Sequence, residues 1–261
     1  MLVASSSAFT LTDTFEDGLD PVIWAPGFDD EGSGVITATN DEVQFTAEPA
    51  ASLIGTNNFA SYRTNLDVLA NSQDWTATIT ANLASLVAFG TFDPMEAAIA
   101  GLGVRSSIDS DDYVDLLFVA GDPFGSGPMK VFRGSSVIDG VDASEDFSTL
   151  SFGDIGSSDL ILNYNHSTEE ITASISIPGV GSENIGTYDV STWDYDVNRE
   201  IEIYIEGSLI KINSTISSGT IAAAPGDITF DNLVLTGAVI PEPSHFVLLL
   251  TGLVPLFRRR R

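Results

Sequence analysis

Short runs in which apolar and polar residues alternate strictly recur along almost the whole of this chain. A period of two sends successive side chains to opposite faces of a strand, so each run buries one face and wets the other. Residues 74–83, 112–120, 159–164, 170–177, 200–206 and 227–235 all read this way. Turn sequences such as Phe124-Gly-Ser-Gly-Pro128 and Pro178-Gly-Val-Gly-Ser182 divide them. Helical periodicity is nearly absent, and the one short stretch compatible with a helical turn runs from Pro94 to Ala100, ahead of Gly101. Half-buried antiparallel strands need a second layer to cover them. The expected architecture is all-β: one antiparallel β-sandwich, with no linker or internal repeat to divide it.

Charge restricts what such a sandwich can meet. The 261 residues hold 10 Lys+Arg against 37 Asp+Glu and no cysteine. Four of the arginines and Glu242 lie in the last 21 residues, which leaves 6 basic against 36 acidic residues, a net of −30. That field repels phosphate backbones and anionic lipid, so nucleic acid is excluded as a partner. Neutral glycans and divalent cations are compatible with it. Without cysteine there is neither a disulfide framework nor a thiolate metal site.

The C-terminal tail has three parts: Pro241-Glu242-Pro243, an apolar run from Phe246 to Phe257, and Arg258, Arg259, Arg260 and Arg261. Twelve apolar residues as a helix rise roughly 18 Å, short of the ~30 Å of bilayer hydrocarbon. Clustered arginine stays on the cytoplasmic side and fixes the orientation. The prolines keep the preceding segment extended and accessible. This tail resembles the PEP-CTERM sorting signal of Gram-negative bacteria. The resemblance implies recognition by an inner-membrane exosortase, cleavage near the Pro-Glu-Pro box, and release to the cell surface or extracellular matrix. An exported body calls for a signal peptide. Met1–Phe9 lacks a basic region and a long apolar core, although Ser6-Ser7-Ala8 looks like a cleavage site. The expected organisation is therefore residues 1–8 as the remnant of an export signal, 9–238 as the sandwich, and 239–261 as the sorting signal with its short hydrophobic helix.

Both ends of the body refine the sandwich. The segment from Asp13 to Trp24 (Asp-Thr-Phe-Glu-Asp-Gly-Leu-Asp-Pro-Val-Ile-Trp) resembles the opening of concanavalin A-like jelly rolls of laminin-G, legume-lectin and glucanase type. Residues 228–235 resemble their last strand. Carbohydrate-binding modules of the smaller jelly-roll type share similar wording and are usually shorter. In several such domains the first and last strands lie together and share a structural calcium. Glu16, Asp17, Asp227 and Asp231 supply the oxygen ligands calcium needs if the two ends meet. Two further acidic clusters, Asp29-Asp30-Glu31 and Asp109 to Asp112, lack EF-hand spacing.

Catalytic signatures are sparse. On a strand, Glu200, Glu202, Tyr204 and Glu206 share one face while Ile201, Ile203 and Ile205 pack inward. Retaining glycosidases need two carboxyls ~5–5.5 Å apart, and the glucanases of this superfamily carry Glu-x-Asp-x-Glu on one strand. Here the middle residue is Glu and the last carboxylate comes two positions late, so the run reads as the solvated face of an amphipathic strand. His166 sits in a hairpin turn and His245 in the tail, so neither a nucleophilic triad nor a zinc site is available. Gly101-Leu-Gly103 lacks the rest of a dinucleotide fingerprint. No catalytic residue is assigned, and the chain reads as a non-enzyme.

For binding, sugar rings stack on aromatic side chains while amides and carboxylates bond their hydroxyls. Trp193 and Tyr195, with Tyr188 and Asn198 nearby, are the candidate glycan site; Trp24 and Trp75 read as core. The resemblances together imply an exported protein associated with extracellular polysaccharide. A purely structural acidic matrix protein is the alternative, and a glycoside hydrolase a distant third.

Overall fold

The alternation of residues 74–83 becomes a strand, β7 (Trp75–Leu83), whose odd-numbered residues are buried while those between are half-exposed. The computed structural model describes residues 9–19, 24–26, 32–39, 42–48, 58–64, 69–70, 72–106, 108–109, 111–149, 155–193, 200–211 and 221–237. Their strands form two antiparallel sheets. Sheet I follows the order β14 (Gly181–Asp189), β13 (Glu170–Ile177), β12 (Ser157–Asn165), β7, β16 (Ala223–Gly237), β4 (Glu42–Ala47) and β3 (Val35–Thr39). β1 (Phe9–Asp13) also pairs with β16. Sheet II runs β11 (Val141–Phe147), β10 (Met129–Ile138), β9 (Tyr113–Gly121), β8 (Glu96–Ser106), β15 (Glu200–Lys211), β5 (Asn58–Thr64) and β2 (Trp24–Pro26), with β6 (Leu69–Ala70) against β15. The inner faces enclose one continuous apolar core, in which Phe45, Ile79, Leu102, Phe118, Phe132 and Phe230 are wholly buried.

The stretch from Pro94 to Ala100 is not helical. Pro94 and Met95 form a turn, and Glu96 begins β8. Alanine's helix preference is worth only tenths of a kcal/mol per residue, and β8 is a central strand with Ala97, Ile99, Ala98 and Ala100 buried on its two faces. Packing overrides propensity there. The described residues include one 3₁₀ turn (Leu86–Phe89) and no helix long and apolar enough to cross a membrane. The expected sorting helix lies outside the described residues.

Both resembling segments have local structural jobs. The Asp13 carboxylate accepts from the backbone N–H of Phe15 (2.9 Å) and from the indole of Trp24 (2.7 Å). Phe15 has φ of 56° and packs against Trp24 with ring centroids 5.9 Å apart, and both are buried. This knot ties the end of β1 in sheet I to the start of β2 in sheet II. At the other end, Asp231 and Asn232 form a bulge in β16, with Asn232 at φ of 53°. The extra residue re-phases the strand, so that Ile228, Phe230, Leu233 and Leu235 all reach the core.

Candidate functional site: the outer face of sheet II

With Ile201, Ile203 and Ile205 turned inward, β15 presents Glu202, Tyr204, Glu206 and Ser208 on the face of sheet II away from the core. On β8, Arg105 stands opposite Glu202, Gly103 opposite Tyr204 and Gly101 opposite Glu206. One strand further, β9 sets Asp115 beside Gly103 and Leu117 beside Gly101, and β10 sets Arg133 beside Leu117. The glycines make room. A Cβ at Gly103 would lie 2.1 Å from Cζ of Tyr204, and one at Gly101 would lie 2.6 Å from Cγ of Glu206. Both side chains thus lie over β8, and the Tyr204 hydroxyl donates to Oδ1 of Asp115.

This outer face is not the solvated strand surface that alternation alone implies. Tyr204 is 4%, Glu202 8% and Asp115 9% exposed. Burial raises the Asp115 carboxyl from 3.8 to about 6, against the Tyr204 hydrogen bond and the Arg133 charge, which lower it. Burial likewise lifts Glu206 well above the ordinary carboxylate range; the Asp115 charge adds to this and Arg133 opposes it. Two carboxyls that share a poorly solvated site resist ionising together. Burial, followed by the Asp115 charge, also raises the Tyr204 phenol, and it pushes Tyr113 up to about 12.

Glu202 is held differently. Its Oε1 accepts from Nη1 of Arg63 at 2.5 Å, while its Oε2 meets Nε of Arg105 at 2.8 Å and Nη2 at 2.7 Å. Arg133 pairs with Glu145 across from β10 to β11. Of the six basic residues in the body, Arg63, Arg105 and Arg133 all stand on this face. Lys130 points the other way, into the sandwich, where Nζ donates to the carbonyls of Leu83 (2.9 Å) and Ile155 (2.6 Å). Three of the four basic side chains among the described residues thus stand on one surface.

Beyond the charged network the same face turns apolar. Ala97, Ile99, Leu117 and Val119 form a buried cluster separate from the main core, flanked by Val131 and Ile210. They floor a cavity of about 400 Å³ whose mouth carries Phe124, Phe147, Arg133 and Glu145. Phe124 is half-exposed and meets Phe147 edge-on, with centroids 5.1 Å apart.

The residues singled out from the sequence fall elsewhere. Tyr188 is 1% and Trp193 3% exposed. Tyr188 lies between the sheets over Gly134, where a Cβ would come within 2.2 Å of its hydroxyl. Neither ring therefore offers a face to a sugar, because the core already uses both. Tyr195 and Asn198 lie outside the described residues, as do Asp29 to Glu31, Pro241, Glu242, Pro243 and Arg258 to Arg261. β1 and β16 do meet, yet Glu16 and Asp17 are exposed in the turn after β1. Asp227 accepts from the N–H of Ala224 at 2.8 Å, and Asp231 bonds both the backbone and the amide of Asn232. These oxygens shape a turn and a bulge. Among the described residues no group of three or more His, Asp or Glu is placed to hold a metal. Sequence reasoning missed Asp115, Arg63, Arg105 and Arg133. Their one visible signal was charge at alternating positions in otherwise apolar strands.

No family model matches the chain, and no curated protein matches it. Solved structures do. The CBM2 module of the evolved Dit of Lactobacillus casei BL23 phage J-1 aligns with a TM-score of 0.57 at 11% identity, covering 90% of this chain and 97% of that one. Winged bean acidic lectin, complexed with methyl-α-D-galactose, aligns at 0.56 and 8% identity, over 90% of this chain and all (100%) of the lectin. A non-specific endo-β-1,3(4)-glucanase of family GH16 aligns at 0.53 and 10% identity, over 91% and 94%. At these identities the likeness is one of fold: the chain is an antiparallel two-sheet jelly roll of the concanavalin A-like kind shared by legume lectins and GH16 glucanases.

Proposed function

We propose that this chain is an exported, non-catalytic glycan-binding protein of the cell surface or extracellular matrix, and that the outer face of sheet II is its binding surface. One observation carries the reading: that face joins an apolar cavity to a row of charged and hydroxyl-bearing side chains. Glycan sites need this combination of a dry floor and a few placed polar groups. The jelly-roll neighbours that include a galactoside-bound lectin are consistent with it. For a non-catalytic role, both oxygens of Glu202 are engaged by arginines and Asp115 is engaged by Tyr204, contacts that fit carboxyls serving to hold the face together. For delivery, the Pro-Glu-Pro box, apolar run and arginine cluster support exosortase processing at the inner membrane.

A glycan array probed with the purified full chain tests the binding reading. Reproducible binding to one polysaccharide class is expected, and a folded sample that binds nothing refutes it, leaving the full chain's net charge of −27 to favour a structural acidic matrix role. For delivery, co-expression with an exosortase should release a shortened product. Replacing Pro241 and Glu242 by alanine should abolish that release.

A further inference from the structure

Resting on the glycan-binding reading, we infer that the cavity beside Phe124 selects neutral sugars that carry an acetyl group, with the acetyl methyl seated on the floor. That floor, from Ile99, Leu117, Val119 and Val131, offers only methyl and methylene groups. A sugar hydroxyl pointed at it exchanges water for no partner and is penalised, whereas a methyl group gains from burial. Polar groups stand only at the mouth. There Arg133 brings five N–H donors, more than the one carboxylate of Glu145 can accept, so a ligand carbonyl finds a donor at the rim. A methyl beside a carbonyl is an acetyl group.

Size and charge complete the argument. About 400 Å³ is at the small end of ligand sites and takes a short saccharide segment. Arg133 is already neutralised by Glu145, and the body carries a net of −30, so an anionic sugar is repelled. The half-exposed Phe124 ring closes one side and offers a face for stacking.

The test uses the full chain and one acetylated polysaccharide in three states: untreated, treated with mild alkali to remove ester acetyls, and fully N-deacetylated and then N-formylated, so that the methyl is lost without creating ammonium groups that the acidic body would attract. Untreated ligand should bind at least ~10-fold more tightly than the form lacking its acetyls, which corresponds to about 1.4 kcal/mol. Loss at the alkali step identifies an ester acetyl, and loss only at N-deacetylation identifies an amide acetyl; either supports the inference. Phe124→Ser should weaken binding of the acetylated form more than that of the forms lacking acetyls, a difference that the lost contact with Phe147 does not produce. Val131→Thr, which puts a hydroxyl in the floor, should shrink the preference. Equal binding of all three forms overturns the acetyl inference and leaves glycan binding intact. Absence of binding to these ligands and to a whole array overturns both.

Discussion

Replacing Asp115 by asparagine should remove a pH-dependent weakness from the fold. Asp115 titrates at about 6 in the folded protein and near 3.8 when exposed, chiefly because burial disfavours its charged form. Between those values the folded state holds a proton that the unfolded state has released. Stability due to this group therefore falls as pH rises through that window, and the whole penalty is present above it. The difference corresponds to about 3 kcal/mol. Asparagine does not ionise, and its side-chain oxygen still accepts from Tyr204, so the contact seen at Asp115 is kept. Removing the Asp115 charge also relieves Glu206, which shifts the result in the same direction. Urea titrations of both proteins across roughly pH 4 to 8 give the comparison, and subtracting one curve from the other cancels the global repulsion of the acidic chain. Asp115→Asn should gain on the parent steadily as pH rises, by up to ~3 kcal/mol. A difference that is flat with pH, or that slopes the other way, would show that Asp115 is solvated and refute the description of this face as recessed.

Gly103→Ala should cost about 1–3 kcal/mol, seen as a lower urea midpoint, because the new methyl takes the place of the Tyr204 ring. Glu202→Ala leaves Arg63 and Arg105 without their shared counter-charge and should cost roughly 3 kcal/mol by the same measurement. Lys130→Met strips two carbonyls of their donor and should lower stability by about 2 kcal/mol in thermal unfolding; an unchanged melting temperature would mean that water replaces the ammonium group.

How legible the fold was depended on the reach of each interaction. β7, β12 and β13 could be read from their own residues, because one face meets the core and the other meets water. Trp24 and Trp75 were legible as core because each opens a strand. The Pro94 to Ala100 stretch misled because its strand is buried on both faces, which erases alternation. The site was far less legible. Glu202 and Glu206 were visible as a row of acids on one face, but their burial depends on Arg105, Asp115 and Arg133, from strands about 70 to 100 positions away. No local pattern announces that Gly101 and Gly103 lie opposite Glu206 and Tyr204. Tyr188 failed as a sugar platform because a strand's sequence does not say which of its faces meets the other sheet, and Trp193 failed because it lies in the turn after β14, where its ring is buried in the core.

The place of β16 in sheet I has a mechanical consequence. It pairs with β7 along one side and with β4 and then β1 along the other. A pull on the chain at Gly237, directed along the strand and resisted by whatever grips sheet II, loads the rungs of those ladders together in shear. A pull between Phe9 and Gly237, which face each other across one rung, instead peels β1 away one pair at a time. The same sandwich is therefore tough when stretched between the outer face of sheet II and β16, and weak when stretched between Phe9 and Gly237.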